Sequence, residues 1–333
     1  MHIPENYLSP ATCGVMGAVM LPIWAVAIKK TGESLTREKM PLLGVAAAFC
    51  FLAMMFNVPM PGGSTGHAVC GTLMAILFGP WPAVLAVSVA LILQAIFFGD
   101  GGILAIGANC FNMAFVLPFV GYGIYYFIKE HVSGLKGELV GAAIGSYIAL
   151  NVAALFAALE FGVQPLLFTD AAGNALYCPY PVSVSVPAML IGHLTVWGIV
   201  EAIFTVGILA FIRKTSPQFG VQGDTSKTSM GKIIAPVAGL IGVLIVATPL
   251  GLLAEGDAWG EWGVEDIADM VGYTPAGMEG WEWSALLPDY SMAGLPDVAG
   301  YILSAVIGVA LLVIIFRLAA FALKPSVDFE KRA

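Results

Sequence analysis

The chain has 333 residues, of which 59% are hydrophobic and only 11% are charged. This composition excludes an ordinary soluble protein of two domains and indicates an integral membrane protein. The 39 glycines and 20 prolines fit that class, because both residues are more frequent in membrane helices than in soluble ones. The net charge of −8 becomes informative only when the charges are assigned to the two sides of a membrane.

The sequence predicts an all-α polytopic bundle of about nine apolar segments, seven in a first group and two in a second. A helix needs about 20 residues to cross a hydrocarbon core of roughly 30 Å, and the second and third segments are shorter than that. The third ends at a Gly-Pro-Trp-Pro turn, so residues 67–98 could form two full crossings or a re-entrant pair. The segments are 10–28, 42–56, 67–78, 81–98, 106–128, 139–159, 184–212, 233–253 and 298–323.

Lysine and arginine indicate which loops face the cytoplasm, because these residues concentrate there in membrane proteins. If the nine segments alternate in direction, all 14 basic residues fall on one side. They lie in the loops after the first, fifth and seventh segments, in the tail, and, for Arg317, near the same end of the last segment. This distribution predicts an N-terminus outside the cell and a cytoplasmic C-terminus.

A change in composition divides the chain into two modules. Residues 220–232 are rich in Gly, Gln, Asp, Ser, Thr and Lys and mark a cytoplasmic linker. We therefore assign residues 1–212 to a first module, 213–232 to the linker and 233–333 to a two-span second module. The outer loop 254–297 of the second module holds ten acidic residues and no basic one. It either raises the local cation concentration at an entrance or is an ordinary solvated surface.

The first two residues carry the nitrogen atoms of a small chelate. The Met1 amine, the His2 amide and the His2 imidazole suit divalent ions such as Ni²⁺ and Cu²⁺. Because no basic residue precedes the first apolar segment, and Glu5 lies where a secretory signal would be positive, we expect this terminus to be retained. Most chain termini are poorly ordered, so the dipeptide is also compatible with a simple tail.

A second histidine falls on the same side. Residues 57–67 read Asn-Val-Pro-Met-Pro-Gly-Gly-Ser-Thr-Gly-His, in which the glycines permit tight turns and Ser64 or Thr65 can cap a helix that starts near His67. Such a histidine is by itself more often a surface residue than a ligand. Combined with the three nitrogens of residues 1 and 2, it would complete a planar set of four, which suits Ni²⁺ or Cu²⁺, accepts Co²⁺ less readily and disfavours Zn²⁺.

Several polar residues could support such a site by hydrogen-bonding its ligands. They are Ser64 and Thr65 in the glycine-rich loop, Asp100 at the outer end of the fourth segment, and Asn109 and Asn112 near the start of the fifth. Helix capping or polar packing explains these residues equally well.

Two ionisable residues lie within the seventh segment, where charge is expensive and often functional. His193 and Glu201 are about 80° apart around a helix, so they could share a polar face and lie on a transport path. Glu201 is the only carboxylate that we place well inside a segment. The five cysteines form no C-x-x-C pair and are expected to be buried, inert thiols.

Three features together resemble a known family. The opening Met-His-Ile-Pro with Leu-Ser-Pro behind it, the Gly-Gly-Ser-Thr-Gly-His loop and the order of the segments resemble the CbiM/NikM family. These proteins are the substrate-binding membrane components of energy-coupling factor (ECF) transporters for cobalt and nickel. The resemblance covers roughly residues 1–212. It implies that the metal is held by the Met1 amine, by the amide and imidazole of His2, and by His67.

The second module resembles the small two-span N component (CbiN/NikN), whose outer loop carries a Pro-Asp-Gly-Leu-Glu motif. This chain has Pro-Ala-Gly-Met-Glu at residues 275–279, which is a looser match. A fused arrangement of the two modules is more similar to the nickel branch of the family and favours nickel slightly over cobalt.

The resemblance implies high-affinity uptake of Ni²⁺ or Co²⁺, as transported substrate, into a prokaryotic cell, with no organic cofactor and no nucleic-acid partner. No G-x-x-x-x-G-K-[ST] loop occurs, so the expected energy source is a coupling transmembrane (T) subunit with cytoplasmic ATPases. The alternative is a secondary, gradient-driven transporter, although we find no internal repeat. A membrane enzyme using Ser64 or His67 is less favoured, because neither residue has a partnered base or nucleophile motif.

Overall fold

Apolar helices dominate the computed structural model, which describes residues 1–61, 63–220, 229–254 and 256–322. In these residues seven helical segments are long and apolar enough to cross a membrane, and two shorter apolar helices complete the nine predicted segments. The helices are α1 (Pro10–Ser34), α2 (Met40–Met54), α3 (Gly71–Phe78), α4 (Pro80–Phe98), α5 (Ile106–His131), α6 (Gly134–Leu167), α7 (Val182–Thr215), α8 (Met230–Leu253), α9 (Val264–Val271) and α10 (Asp297–Ala322).

Several of the long helices are locally irregular. One π-helical stretch occurs in each of α4, α5 and α7, at Gln94–Phe98, Cys110–Val116 and His193–Trp197. The α8 helix ends in 3₁₀ geometry at Thr248–Leu253. Part of the predicted linker (221–228) and the basic tail (323–333) lie outside the described residues, as do Gly62 of the glycine-rich loop and Glu255 of the acidic loop.

The segment that contains α3 crosses the bundle although only part of it is helical. Residues 67–70 have no regular structure, and the eight residues of α3 are about 12 Å of helix. At one end His67 lies beside His2, while at the other the ring of Phe78 packs against Phe219, just beyond the basic end of α7. Residues 67–98 therefore form two crossings of the bundle and not a re-entrant pair.

The prediction that the third segment is helical from His67 is wrong, and the reason is a side chain of α7. The Glu201 carboxylate accepts hydrogen bonds from the backbone N–H groups of Val69 (2.7 Å) and Cys70 (2.9 and 3.0 Å). Cys70 also adopts a positive φ of 62°, which a continuing helix does not allow. Non-helical backbone inside a membrane bundle must be satisfied internally, and Glu201 meets that requirement.

The glycine-rich loop forms a two-stranded antiparallel ribbon, β1 (Val58–Pro59) paired with β2 (Thr65–Gly66). Its Thr65 lies in a strand, and the residue before α3 is Cys70, so the prediction that Ser64 or Thr65 caps this helix is wrong. Trp197 of α7 donates its indole N–H to the Val58 carbonyl at 2.9 Å. A Cβ on Gly66 would lie only 2.6 Å from that indole ring, so glycine lets the ribbon sit directly on α7.

The N-terminal segment, residues 1–9, enters the bundle instead of forming a tail. Ile3, Tyr7 and Leu8 are almost completely buried. The segment turns into α1 at Ser9, whose hydroxyl accepts a hydrogen bond from the backbone N–H of Thr12, with a proline at the first helical position. The buried apolar side chains and the cap therefore direct the first two residues inward.

The second module packs against the first along α2. A Cβ on Gly44 would lie 2.7 Å from the Cβ of Phe316, and Gly308 lies against the ring of Phe51. Small residues at these positions allow close approach of α2 and α10, as is common between membrane helices. The two predicted modules therefore share a helix–helix interface.

The outer loop of the second module lies over the N-terminal segment. Thr65 of β2 pairs with Ala258 in a parallel bridge, and the hydroxyl of Tyr7 donates to the carbonyl of Trp262 at 2.7 Å. The loops that were predicted to share one side of the membrane thus meet at one end of the bundle. Whether that end faces outward stays a prediction.

Candidate metal centre

His2 and His67 come together at the end of the bundle where these loops meet. The Nδ1 atom of His2 lies 3.2 Å from the Nε2 atom of His67, and the two residues are 2% and 9% exposed. The Nδ1 atom of His67 lies 3.2 Å from the carbonyl of Ala68, which leaves its Nε2 directed toward His2. Burial, together with the nearby N-terminal amine, holds the pKa of His67 well below its usual range. His67 is therefore neutral near pH 7 and able to act as a metal ligand.

Asp100 is the charged partner of this pair. Its Oδ1 atom lies 3.0 Å from Nδ1 of His2. Burial opposes ionisation of the carboxyl group, but the interaction with His2 and the hydrogen bond from Tyr290 outweigh it and hold the pKa of Asp100 well below its usual range. A negative charge therefore lies directly beside the imidazoles.

The amine of Met1 completes the cluster. It lies 3.3 Å from Oε1 of Glu261, in the outer loop of the second module, and Met1 itself is buried. The second module thus places a carboxylate against the terminal amine, as Asp100 does against the imidazole of His2. No group of three or more His, Cys, Asp or Glu side chains suited to hold an ion was found among the described residues, and the five cysteines are separate buried thiols, as predicted.

Asn109 of α5 fixes the path of the N-terminal segment. Its carboxamide accepts a hydrogen bond from the backbone N–H of Ile3 (2.8 Å) and donates one to the Ile3 carbonyl (3.0 Å). The loop after α4 packs from the other side, where a Cβ on Gly102 would lie 2.7 Å from the backbone nitrogen of Glu5. Since backbone atoms cannot move aside as a flexible side chain can, only glycine fits at position 102.

A cavity of about 350 Å³ opens between the histidine pair and the second module. Its acidic lining residues are Asp100, Asp257, Glu261 and Asp289, and none of its described lining residues is lysine or arginine. A cleft lined by one sign of charge raises the local concentration of counter-ions. The cavity therefore favours cations next to the two imidazoles.

The other residues predicted to support the site lie at different distances from it. Ser64 and Thr65 hold the second module in place, since the hydroxyl of Ser64 accepts from the backbone N–H of Trp259 at 3.1 Å. Asn112 lies about one turn beyond Asn109 and donates to Glu160 at 2.7 Å. In the described residues, neither the Ser64 hydroxyl nor the Asn112 carboxamide is hydrogen-bonded to His2 or His67.

The two residues predicted on a transport path have separate partners. Glu201 binds the backbone before α3, whereas Nδ1 of His193 donates to the Met189 carbonyl at 2.7 Å and its ring packs edge-on against Trp197. Both are buried. A role in ion transport stays a prediction for each.

Two models of known protein families match this chain. A model of the cobalt uptake substrate-specific transmembrane region, CbiM, matches residues 2–219, and a model of the PDGLE domain matches residues 234–325. The chain belongs to the CbiM family. The resemblance noted for each of the two modules is therefore confirmed.

Relatives of this CbiM family member include fused proteins that match it over almost their whole length. The chain is 46% identical to the probable fused nickel transport protein LarMN of Lactiplantibacillus plantarum, over 95% of this chain and 97% of that protein. It is 47% identical to the fused nickel transport protein NikMN of Rhodobacter capsulatus, over 94% and 95% respectively. A crystal structure of a transition metal transporter is 51% identical, with a TM-score of 0.62 over 65% of this chain and 94% of that chain.

These relatives confirm the prediction of a multi-pass prokaryotic membrane protein that transports metal and is not an enzyme. The crystal structure matches about two thirds of this chain, whereas the two fused relatives match nearly all of it.

The region of this CbiM protein that matches the PDGLE domain supplies side chains that sequence reasoning missed. In the sequence, Glu261 was only one of ten acidic residues in an outer loop, and no motif or spacing singled out Tyr290. Glu160 was also missed: it was assigned to a loop because the apolar segment ends just before it, but it lies buried in α6, so Glu201 is not the only carboxylate inside the bundle.

Proposed function

We propose that this protein is the substrate-specific membrane component of an ATP-driven uptake system for Ni²⁺, with Co²⁺ as the second candidate ion. The observation that carries the proposal is the pair of imidazole nitrogens 3.2 Å apart, buried beside the Met1 amine at the head of an acidic cavity. The names of the fused relatives support nickel.

The nitrogen donors explain the choice of ion. Metal–nitrogen bonds of about 2.0 Å place neighbouring ligands of a planar complex about 2.8 Å apart. The His2 and His67 nitrogens need little movement to reach that spacing, and the Met1 amine and His2 amide supply the remaining two donors. Late first-row ions such as Ni²⁺ and Cu²⁺ accept such a planar nitrogen set, whereas Zn²⁺ prefers a tetrahedral one.

Loading the site requires the loss of protons from the amine and the amide. A deprotonated amide leaves a complex of net charge +1 from a divalent ion. The carboxylates of Asp100 and Glu261 are in place to balance that charge.

The modules have different tasks in this proposal. Residues 1–212 form the metal-binding module with its site facing outward, residues 213–232 form a cytoplasmic linker, and residues 233–333 cover the site. A coupling transmembrane subunit and cytoplasmic ATPases drive the release of the ion inward, because this sequence contains no P-loop of its own.

Binding of Ni²⁺ to purified protein tests the site. We expect at least a hundredfold weaker binding when two residues are added before Met1, because the Met1 amine then becomes an amide and the new terminal amine lies too far from His2 to share its chelate. We expect a similar loss in His67→Ala. His131→Ala is the matched control, since this exposed histidine bonds and stacks with Phe127 of its own helix, and its loss should leave affinity unchanged. Undiminished Ni²⁺ binding by the extended protein would show that the terminal amine is not a ligand.

Uptake in cells tests the energy source. Nickel accumulation should require both this protein and the ATPase subunits. Accumulation that persists without any ATPase, and that collapses when the proton gradient is dissipated, would identify a secondary transporter instead.

A further inference from the structure

The backbone is strained at one point of the second module, directly beside the histidine pair. Asp289 and Tyr290 are consecutive non-glycine residues with positive φ, at 52° and 57°. Such a conformation costs free energy and persists only where the surroundings enforce it. Here the Tyr290 carbonyl accepts from the Ser304 hydroxyl at 2.8 Å, and its ring stacks on Phe98 with centroids 4.8 Å apart.

The result of this strained turn is the position of one hydroxyl group. Tyr290 donates to Oδ2 of Asp100 at 2.5 Å, and the carboxamide of Gln94 donates to the same oxygen at 3.1 Å. Gln94 also donates to the Tyr290 hydroxyl oxygen at 2.8 Å. One oxygen of Asp100 is therefore held by two donors, while the other faces Nδ1 of His2.

This restraint matters because a carboxylate is itself a metal ligand. The Oδ1 atom of Asp100 lies 3.0 Å from an imidazole nitrogen that the proposed function makes a ligand, so a small rotation could bring an oxygen to the same ion. An added oxygen ligand would convert a planar nitrogen set into one that suits other divalent ions better. A carboxylate fixed beside the ion instead supplies charge without changing its coordination.

We propose that Tyr290 is a specificity-determining positioning residue, which tethers the Asp100 carboxylate next to the nitrogen ligands and keeps it out of the coordination sphere. The proposal rests on the proposed function of the site. It assigns to the second module a direct part in choosing the metal, through a hydroxyl that does not itself touch the ion.

The test compares Ni²⁺ and Zn²⁺ binding by the full-length protein and by Tyr290→Phe, which keeps the ring on Phe98 and removes only the hydroxyl. We expect the preference for Ni²⁺ over Zn²⁺ to fall about tenfold. The visible absorption of the Ni²⁺ complex should also change from that of a planar four-coordinate ion toward that of a higher-coordinate one. Tyr273→Phe is the control, because this hydroxyl, in the same outer loop, contacts the backbone of Ala175 away from the cavity.

A second substitution separates tethering from simple damage to the fold. In the double variant Tyr290→Phe/Asp100→Asn the neutral carboxamide is a far weaker ligand, so the preference for Ni²⁺ should return. An unchanged preference and spectrum in Tyr290→Phe would overturn the inference, as would an equal loss of both metals with an unchanged spectrum, or a double variant that still favours Zn²⁺. Failure of the unmodified protein to bind Ni²⁺ would instead overturn the proposed function.

Discussion

Two buried polar sites of this protein are hydrogen-bonded in opposite ways. The Glu201 carboxylate accepts three hydrogen bonds from the backbone at Val69 and Cys70. At the histidine pair, two nitrogen atoms, Nδ1 of His2 and Nε2 of His67, face each other at 3.2 Å, and both imidazoles border the 350 Å³ cavity. Buried polar groups are normally satisfied, so a saturated carboxylate indicates a structural anchor and an open imidazole cluster indicates a ligand site.

The two sites are also connected. Glu201 holds the backbone only two and three residues after His67, so the anchor determines where this imidazole lies. Glu201 therefore belongs to the structure that holds the site in place, whereas His2 and His67 are the proposed ligands. Changes at the two sites should separate metal affinity from stability.

The largest effect on affinity is expected from Gly102→Ala, which crowds the N-terminal segment without touching Glu201. The new Cβ would lie 2.7 to 2.8 Å from the backbone of Pro4 and Glu5, so the segment must shift and carry Met1 and His2 with it. We expect Ni²⁺ affinity to fall at least a hundredfold, which corresponds to about 2.7 kcal/mol. Isothermal titration of the purified protein measures this change.

Gly123→Ala is the matched control for that substitution, because a Cβ at this position of α5 meets no atom within 4 Å. It should bind Ni²⁺ as the unmodified protein does. Equal affinities of the two alanine variants would mean that the N-terminal segment does not position the ligands.

Glu201→Gln should act mainly on stability. One amide oxygen in the place of Oε2 can still accept from both backbone N–H groups, but the amide nitrogen that replaces Oε1 then faces the Cys70 N–H at 3.0 Å. A buried donor is thereby left without an acceptor, at a cost of about 1–3 kcal/mol. We expect a lower midpoint of thermal unfolding in detergent and a smaller loss of Ni²⁺ affinity than in Gly102→Ala. Glu33→Gln, which breaks only an exposed pair with Lys30, should change neither quantity. A large loss of affinity at unchanged stability would instead place Glu201 on the ion path.

The smallest effect is a pH dependence of the metal-free protein that arises from His67. Burial lowers its pKa in the folded state, so below about pH 6.5, the usual histidine value, the unfolded chain binds more protons and the free energy of unfolding falls. The loss is at most about 1.4 kcal/mol per pH unit. Asp100, whose pKa is also lowered, adds its own loss only below about pH 4.

Unfolding in detergent at pH 7, 6 and 5 measures this dependence. The slope in this range should be shallower in His67→Gln than in the unmodified protein. Identical slopes would contradict the assignment of a neutral, buried His67.

Much of the candidate site could be predicted because it depends on neighbouring residues in the chain and on which loops carry the basic residues. The adjacent nitrogens of Met1 and His2 are fixed by covalent connection, and the basic residues place His67 at the same end of the bundle as the terminus. The structure brings both histidines together there. The start of α3 was predicted wrongly because it depends on Glu201, which lies 131 residues after Cys70 in the chain.

The sequence alone determined the membrane class, the number of apolar segments, the family and the residues expected to carry nitrogen ligands. Each of these depends on composition or on neighbours along the chain. Only the tertiary structure decided that Asp100 contacts His2, and that Glu261 and Tyr290 from the second module close the site. These contacts join residues up to 260 positions apart, and they arise from the packing of whole helices, which no local pattern of residues encodes.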